Sequence, residues 1–442
     1  MKNFIFISPH FPDTYYRFAV ALKNNGFRVL GIGDAPYHEL SNELKEALTE
    51  YYLCYGMDNF DNECRAVSYF KDKYGDIDYL ESNNEYWLNK DAQLREIFDV
   101  KNGVRVAEIN IYQHKSKMKE RFIKAGAKVA PFILIDTLEN ALDFAHEVGY
   151  PLFIKPDIGV GAEGDFKIQN ECDLRLFFEK MNKNITYICE QYVTGNIVSF
   201  DGIANSKSEV VFAASNVFPP SISDIVEEHK DIFYYTLPKV DDDLLELGKR
   251  VIKAFEVKQR FFHIEFFRLT KKVNNLGDVG DIVALETNMR PAGGYTPDLI
   301  NYANSVDCYK IYADVIAFDE NRVNLNLEKY YAPCASRRDD VSYFYSDEEV
   351  LSTFKKEICN HGRYAKVFAG AMGDRFFMAR FKSLDEVNLF KEYIERRSGS
   401  FESSSPHSHA SMNLTGEDIY MLHEKSSKKE ENNVCDTNID GA

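Results

Sequence analysis

The amino-acid sequence predicts a chain of mixed fold class, with an α/β unit first and α+β units after it. Three observations carry this prediction. Short apolar strands alternate with helices over the first 100 residues, hydrophobic strands with intervening helices follow up to about residue 325, and another α+β pattern comes after residue 332. Strands that alternate with helices at this spacing favour a parallel sheet with helices on both faces.

The predicted elements follow from apolar periodicity and from turn residues. In the first unit the predicted strands are 3–8, 27–32, 52–55 and 77–81, and the predicted helices are 13–25, 40–51 and 61–74. After residue 332 the predictions are strands at 340–345, 364–369 and 376–381 and helices at 347–359 and 384–396. The first unit resembles a Rossmann half, but the loop 8–13 lacks the G-x-G-x-x-G fingerprint, so no dinucleotide site is predicted.

The composition narrows the classes of protein that this chain can be. Hydrophobic residues make up 45% and charged residues 28% of the 442 positions, which is ordinary for a globular protein. A formal net charge of -17 argues against a nucleic-acid partner, but not against a nucleotide, which needs only a few local cations. No stretch reaches the ~20 apolar residues of a membrane span, and no secretory signal is expected. Eight cysteines without C-x-x-C spacing predict reduced thiols in a cytoplasm and no zinc site.

One segment joins a buried strand to a glycine-rich turn. Residues 150–156 deliver Lys155, and Gly159, Gly161 and Gly164 follow it. A lysine is a point charge suited to a phosphate, and glycines let backbone amides approach phosphate oxygens. The pattern predicts a phosphate-binding loop, and its alternative is a plain hairpin with a surface lysine.

Two further segments offer groups that a nucleotide needs. Lys115 opens a basic helix, for which the alternative interpretation is a solvated surface. Glu190 ends an apolar strand, and Gln191, Tyr192 and Val193 continue it as an extended linker. The backbone amide and carbonyl of such a linker can pair with the edge of adenine. The alternative for this segment is an ordinary strand end.

The fourth segment carries acidic, amide and guanidinium side chains at strand spacing. Glu265 lies in one alternating strand, and Glu286, Asn288 and Arg290 come at the end of the next. The last three share a face because side chains repeat with period 2 in a strand. Burying them without partners would be costly, whereas Mg²⁺ takes hard oxygen ligands shared with phosphate. The segment therefore predicts a Mg²⁺ site with Arg290 beside the transferred phosphoryl group; a salt-bridged hairpin is the alternative.

In their order and spacing these segments resemble the ATP-grasp superfamily. The resemblance covers about residues 1–395 and rests on Lys115, Lys155 with its glycine loop, the linker 190–193, Glu265 and the run 286–290. The E-x-N-x-R-P-x-G-G form of the last run is similar to that of carboxylate–amine ligases. These include L-amino-acid ligases, carnosine-synthase-like enzymes and the large chain of carbamoyl-phosphate synthase.

The resemblance implies ATP and Mg²⁺ (or Mn²⁺) as cofactors and assigns a role to each residue. The resemblance implies that Lys115, Lys155, Gly159, Gly161 and Gly164 contact the phosphates and that Glu190, Gln191, Tyr192 and Val193 contact adenine. It implies that Glu265, Glu286 and Asn288 bind the metal and that Arg290 and Lys155 are catalytic. Gly293 and Gly294 would lie against the substrate. Many relatives have a glutamate where this chain has Ile197, so other groups would have to hold the ribose.

The implied reaction has two steps. A small-molecule carboxylate attacks the γ-phosphate of ATP, and an amine then attacks the acyl phosphate, so that ADP and phosphate leave. An amino-acid or dipeptide-forming ligase is the favoured interpretation. One alternative is a bicarbonate-activating enzyme similar to carboxylases or carbamoyl-phosphate synthase. The other is a non-catalytic nucleotide-binding protein, which is disfavoured because Glu265, Glu286 and Asn288 are all present.

The chain divides into four predicted parts. They are a Rossmann-like pre-ATP-grasp domain at 1–112, an ATP-grasp domain at 113–330 with a lid at about 128–195, a small α+β unit at 331–397, and a disordered tail at 398–442. The loop 217–238 is predicted to border the acceptor pocket, and His229 and His263 are predicted to be structural histidines. Relatives often form homodimers, but the sequence leaves the oligomeric state open.

Overall fold

A computed structural model describes residues 1–159, 165–218, 231–365 and 372–398. The strands are β1 Asn3–Ile7, β2 Arg28–Gly33, β3 Glu50–Leu53, β4 Tyr79–Glu81, β5 Lys128–Val129, β6 Phe132–Leu134, β7 Leu152–Pro156, β8 Phe166–Ile168, β9 Tyr187–Gln191, β10 Gly195–Ala204, β11 Val210–Ala214, β12 Asn216–Phe218, β13 Phe233–Thr236, β14 Arg260–Leu269, β15 Ile282–Asn288, β16 Ala332–Arg337, β17 Ile358–Arg363 and β18 Arg375–Ala379. The α-helices are α1 Tyr16–Asn24, α2 Asn42–Ala47, α3 Phe60–Tyr74, α4 Leu88–Ile97, α5 Val106–Gln113, α6 Lys115–Lys124, α7 Leu138–Val148, α8 Glu171–Lys180, α9 Asp242–Ala254, α10 Thr296–Asn304, α11 Cys308–Phe318, α12 Asp347–Thr353 and α13 Leu384–Glu395.

The N-terminal sheet is parallel, with strand order β3-β2-β1-β4. Alternate residues of β1 enter different hydrophobic cores, because successive side chains of a strand point to opposite faces. Phe4 and Phe6 join the core that contains α1 and α11. Ile5 and Ile7 join the core that contains α3. The predicted parallel sheet with two covered faces is therefore confirmed.

The other two sheets face each other. A small antiparallel sheet has the order β6-β9-β7-β8 and packs against α7 and α8. A large sheet has the order β17-β18-β16-β13-β12-β10-β14-β15-β5, with β11 paired to β10. The strands β16 to β18 continue the large sheet through β13. Because one sheet includes strands from two of the predicted parts, it does not show where one part ends and the next begins, and the division of the chain into four parts stays a prediction.

Several predicted element boundaries are wrong. The helix predicted at 40–51 ends at Ala47, because parallel pairing of Glu50 with Leu30 begins β3 earlier than predicted. The strand predicted at 340–345 is absent from the described part of the chain. Instead β16 pairs with β13, whose apolar residues offer a buried partner.

Near the C-terminal end, the helix predicted at 347–359 ends at Thr353, because pairing of Ile358 with Ala379 begins a strand. A strand is predicted at 364–369, but the observed strand lies at 358–363. Positions 366–369 of the predicted strand fall outside the described residues. Helices α4 and α5 were not predicted. Among the described residues, the helices lack the length and apolar character that would let one of them traverse a lipid bilayer.

Candidate active site

A cleft lies between the small sheet and the large sheet and has a volume of about 420 Å³. We name it the lysine cleft. The small sheet contributes Lys155 from β7 and Glu190 from β9, and the large sheet contributes the segment that carries the predicted metal ligands. Its lining includes the following residues predicted to form the site: Lys115, Lys155, Glu190, Gln191, Tyr192, Val193, Glu265, Glu286, Asn288 and Arg290.

Two buried lysines share one carboxylate in this cleft. Lys119 Nζ lies 3.3 Å and Lys155 Nζ 3.4 Å from the same Oε1 atom of Glu190. Burial alone would raise the pKa of Glu190, but the two ammonium groups outweigh it and hold that pKa low. Burial would also lower the pKa of Lys155, yet Glu190, Glu286 and Asp165 together raise it. Lys155 is therefore held as a cation where a phosphate could meet it.

The first turn of α6 is fixed by a buried aspartate. The Ser116 amide donates to Asp157 Oδ1 at 2.8 Å, and His114 Nδ1 lies 2.8 Å from Asp157 Oδ2. This anchor brings Lys115 to the start of the glycine segment, where its Nζ donates to the Gly159 carbonyl oxygen at 2.9 Å. Burial lowers the pKa of Lys115. The predicted contacts of Gly161 and Gly164 lie outside the described residues.

The linker that begins at the end of β9 is held to neighbouring segments by two backbone hydrogen bonds. The Gln191 amide donates to the Pro131 carbonyl at 3.0 Å, and the Tyr192 amide donates to the Pro151 carbonyl at 3.2 Å. Within the described residues the amide of Val193 donates to no backbone carbonyl. The Val193 amide is thus the linker donor that remains for a ligand such as adenine.

The predicted metal ligands lie on one face of the hairpin β14–β15. Glu265 is directly opposite Glu286 in the register, and Asn288 is two residues further along the same strand. Directly opposed residues project from the same face of a sheet. The register shifts immediately after Glu265, a β-bulge of the kind that re-aims side chains at active sites.

Glu265, Glu286 and Asn288 offer two carboxylates and one amide oxygen. These oxygens could supply only part of the octahedral coordination of Mg²⁺. In the described part of the chain, no group of three or more His, Cys, Asp or Glu side chains is arranged to hold a metal. Mg²⁺ is commonly bound by one or two carboxylates, and water and phosphate oxygens of the substrate complete its coordination. The donor set therefore fits a metal that arrives with a phosphorylated ligand.

His263 fixes one of these ligands. Its Nε2 lies 2.9 Å from Glu265 Oε1, and its Nδ1 lies 2.7 Å from Asp201 Oδ1. Burial would lower the pKa of His263, but the two carboxylates raise it to about 10. Asp201 is held in turn by Asn216 Nδ2 at 2.8 Å. The hydrogen bonds predicted for His263 are present, and its purely structural role stays a prediction. His229 lies outside the described residues.

Sequence reasoning missed other residues of the site. Lys119 follows Lys115 by one helical turn, and that spacing places both on one helix face. Asp165 lines the lysine cleft, and burial raises its pKa to about 6. Asp201 and Asp157 reach the site from distant parts of the sequence, which no local pattern reveals.

Comparisons with known proteins agree with this arrangement. Residues 114–193 match the family model described as carbamoyl-phosphate synthase L chain, ATP binding domain. The crystal structure of L-amino acid ligase from Bacillus licheniformis superposes with a TM-score of 0.65 at 13% identity, covering 89% of this chain and 96% of that one. The chain therefore shares the fold of this ligase, and its residues 114–193 resemble an ATP-binding domain. The ATP-grasp fold predicted from the sequence is thus confirmed.

Among curated proteins, the L-arginine-specific L-amino acid ligase of Bacillus subtilis is 21% identical over 262 residues, which cover 58% of this chain. The carbamoyl phosphate synthase large chain of Clostridium acetobutylicum is 23% identical over 175 residues, or 36% of this chain. The matched parts span 61% of the first relative's length and 16% of the second's.

Proposed function

We propose that this protein is an ATP- and Mg²⁺-dependent ligase that phosphorylates a carboxylic acid and couples it to an amine. One observation carries the proposal. Lys155 and Glu190 on the small sheet face Glu265 and Glu286 on the large sheet across one cleft. This arrangement supports the proposal because it brings a cation suited to phosphate and carboxylates suited to Mg²⁺ to one place. The two L-amino acid ligases among the similar proteins support the same reaction class.

The residues of the lysine cleft divide the work of ATP binding. The Val193 amide can pair with adenine, and Lys115 and Lys155 can contact the phosphates. Mg²⁺ held by Glu265, Glu286 and Asn288 would neutralise charge on the phosphate oxygens. His263 keeps Glu265 oriented, because its Nε2 occupies Oε1 and leaves Oε2 for the metal.

Arg290 is the residue that would bind the phosphoryl group during its transfer from ATP. Its guanidinium follows β15 and lies close to Asn288, with Nη2 3.4 Å from Asn288 Oδ1. A carboxylate oxygen attacks the γ-phosphorus, the bond to ADP breaks, and the charge that develops is stabilised by fixed cations. The amine then attacks the acyl carbon, loses a proton, and inorganic phosphate leaves.

ADP formation tests the proposal. We expect ADP release that requires both a carboxylate and an amine when ATP and Mg²⁺ are supplied with pooled amino acids and dipeptides. Replacing a metal ligand, Glu286→Ala, should lower this release by about 10²–10³-fold, the usual cost of removing a group that stabilises transition-state charge. Glu246→Ala, on an exposed helix position, is the matched control and should leave the release unchanged.

Other outcomes would support other functions. ADP release that depends on bicarbonate would favour a bicarbonate-activating enzyme, in line with the similarity to the carbamoyl phosphate synthase large chain. Binding of ATP without release in any pool would count against ligation and favour a non-catalytic nucleotide-binding protein. The cytoplasmic location stays a prediction, and the oligomeric state stays open.

A further inference from the structure

A second cavity, of about 430 Å³, adjoins the lysine cleft at Arg290. We name it the aromatic cavity. One wall comes from the loops that follow β1 and β4, represented by Phe11 and Glu85, and the facing wall comes from the segment after β15. In the order β3-β2-β1-β4 these two loops leave neighbouring strands at the carboxyl edge of the sheet. Open parallel sheets bind ligands in crevices of this kind.

The two walls are held together by a buried arginine. Arg260 donates from Nε to the Met289 carbonyl at 3.0 Å, and its Nη2 lies 3.5 Å from Glu81 Oε1. Arg95 holds the other oxygen of Glu81 at 2.8 Å. Glu81 ends β4 and Met289 precedes Arg290, so these contacts fix the spacing between Glu85 and Arg290.

Glu85 is a largely buried carboxylate, and one of its oxygens lacks a donor among the described residues. Its side chain is 12% exposed, and in the described part of the chain its buried Oε2 atom makes no hydrogen bond. The nearest cation is Arg290, whose Nε lies 3.8 Å from Oε2. That distance allows attraction but is too long for a hydrogen bond. Leaving a buried carboxylate oxygen without a donor is costly, so Glu85 is suited to accept from a ligand.

The aromatic rings of the wall offer mainly apolar surface, because the hydroxyls of three of its tyrosines are already used. Tyr15 donates to the Asn83 carbonyl at 2.9 Å, Tyr112 donates to the Phe255 carbonyl at 2.7 Å, and Tyr86 donates to Asp58 Oδ1 at 2.7 Å. Rings without available hydroxyls favour apolar or aromatic ligand groups. Among the lining residues that the structure describes, the acidic side chains are Glu85 and Glu286.

We infer that the aromatic cavity binds an α-amino acid with an apolar or aromatic side chain, its ammonium on Glu85 and its carboxylate toward Arg290. One carbon atom separates the ammonium and carboxylate of an α-amino acid, and Glu85 and Arg290 present the complementary pair of charges side by side. The inference rests on the proposed function, because the carboxylate beside Arg290 is the one to be phosphorylated. It departs from the arginine specificity in the name of the Bacillus subtilis relative.

Binding of matched ligands tests the inference. Calorimetry with the full chain at pH 8 compares L-phenylalanine, 3-phenylpropanoate, which lacks only the ammonium, and L-arginine. We expect L-phenylalanine to bind about 10- to 100-fold more tightly than 3-phenylpropanoate, as for a buried charge-assisted hydrogen bond, and more tightly than L-arginine. In Glu85→Gln the difference between L-phenylalanine and 3-phenylpropanoate should disappear. Glu43→Gln, which removes an equal charge from an exposed position, should keep it.

Several results would overturn the inference. They are equal binding of L-phenylalanine and its deaminated analogue by the wild-type protein, absence of L-phenylalanine binding, tighter binding of L-arginine, or discrimination that survives in Glu85→Gln. The wild-type comparison stands even if the variant does not fold. If ADP release requires an amine but Glu85 does not distinguish L-phenylalanine from 3-phenylpropanoate, this inference is rejected and the proposed function is kept. If the two ligands are distinguished but no ADP is released, the proposed function is rejected and the binding inference is kept.

Discussion

The lysine cleft and the aromatic cavity each contain a buried glutamate, but the two carboxylates are compensated differently. Glu190 has two ammonium groups within 3.4 Å of one oxygen. Glu85 Oε2 has one guanidinium at 3.8 Å. In the described part of the chain neither Glu85 Oε2 nor Glu190 Oε1 makes a hydrogen bond, so the difference lies in the number and distance of the cations. The pKa of Glu190 is held low, whereas burial raises that of Glu85. The cleft satisfies its anion with the protein's own cations, and the cavity leaves its anion for a cationic ligand group.

We expect the largest effect on activity in a comparison of Lys155 and Lys119, the two lysines that contact Glu190. Lys155 lines the cleft and can reach a phosphate, whereas Lys119 is buried behind it and contacts Glu190. We expect Lys155→Met to lower kcat/KM for ATP by about 10²–10³-fold, as for a lost transition-state cation. Lys119→Met should cost about 10-fold or less, because it acts only through Glu190. Steady-state ADP formation measures both.

Equal losses in the two variants would contradict this distinction. That result would mean that the charge state of Glu190, rather than direct contact with phosphate, governs ATP use. Thermal unfolding of both variants is the control, because Lys119 is the more deeply buried of the two side chains and its loss also removes packing.

The same two sites differ in how far the sequence predicts them. The lysine cleft was predictable because its groups come from local patterns: Lys155 from a strand with a glycine turn, and Glu286 with Asn288 from period-2 spacing. Glu265 and Glu286 were predicted to lie together because two carboxylates suit a Mg²⁺ site. The structure adds the register that sets them directly opposite one another.

The aromatic cavity was not predictable in this way. Glu85 follows a short strand of the first unit, and Arg290 lies about 200 positions further along the chain. No local period links them; Arg260 and Glu81 bring them together through buried contacts. Element boundaries failed for a related reason, since β3 and β16 begin where a partner strand lies. Tertiary pairing overrides local propensity at such points.

A third buried glutamate, remote from both sites, sharpens the comparison. The Glu63 side chain is fully buried, its oxygens make no hydrogen bond in the described part of the chain, and Lys90 Nζ is 3.8 Å away. Burial raises its pKa from 4.5 to about 8. The folded state therefore keeps a proton that the unfolded chain has released between these pH values, so stability falls as the pH rises through this window.

We expect Glu63→Gln to remove this dependence, because a neutral amide has no proton to lose. Between pH 5 and pH 8 the wild-type protein should lose about 2–4 kcal/mol of unfolding free energy relative to the variant. Urea denaturation at the two pH values measures the difference, with the exposed Glu43→Gln as the matched control. Parallel pH profiles for wild type and Glu63→Gln would show that Glu63 stays ionised despite its burial.

The smallest effect concerns the pH dependence of ligand discrimination by Glu85. Burial raises the pKa of this carboxyl; among nearby charged groups, Glu286 raises it further and Arg290, Arg260 and Lys115 lower it. Preference for L-phenylalanine over 3-phenylpropanoate needs the ionised form, so it is present at pH 8 and lost as the pH falls through the raised pKa.

An exposed glutamate would keep its charge down to about pH 4.3. We therefore expect calorimetry between pH 8 and pH 5 to show that the preference begins to decline above that value, because the pKa of Glu85 is raised. Glu85→Gln should show no such decline, because its amide does not titrate. If the preference for L-phenylalanine stays constant down to pH 5, Arg290 compensates the charge of Glu85 as fully as the two lysines compensate that of Glu190. The two glutamates would then differ in the distance to their cations and not in how far their charge is compensated.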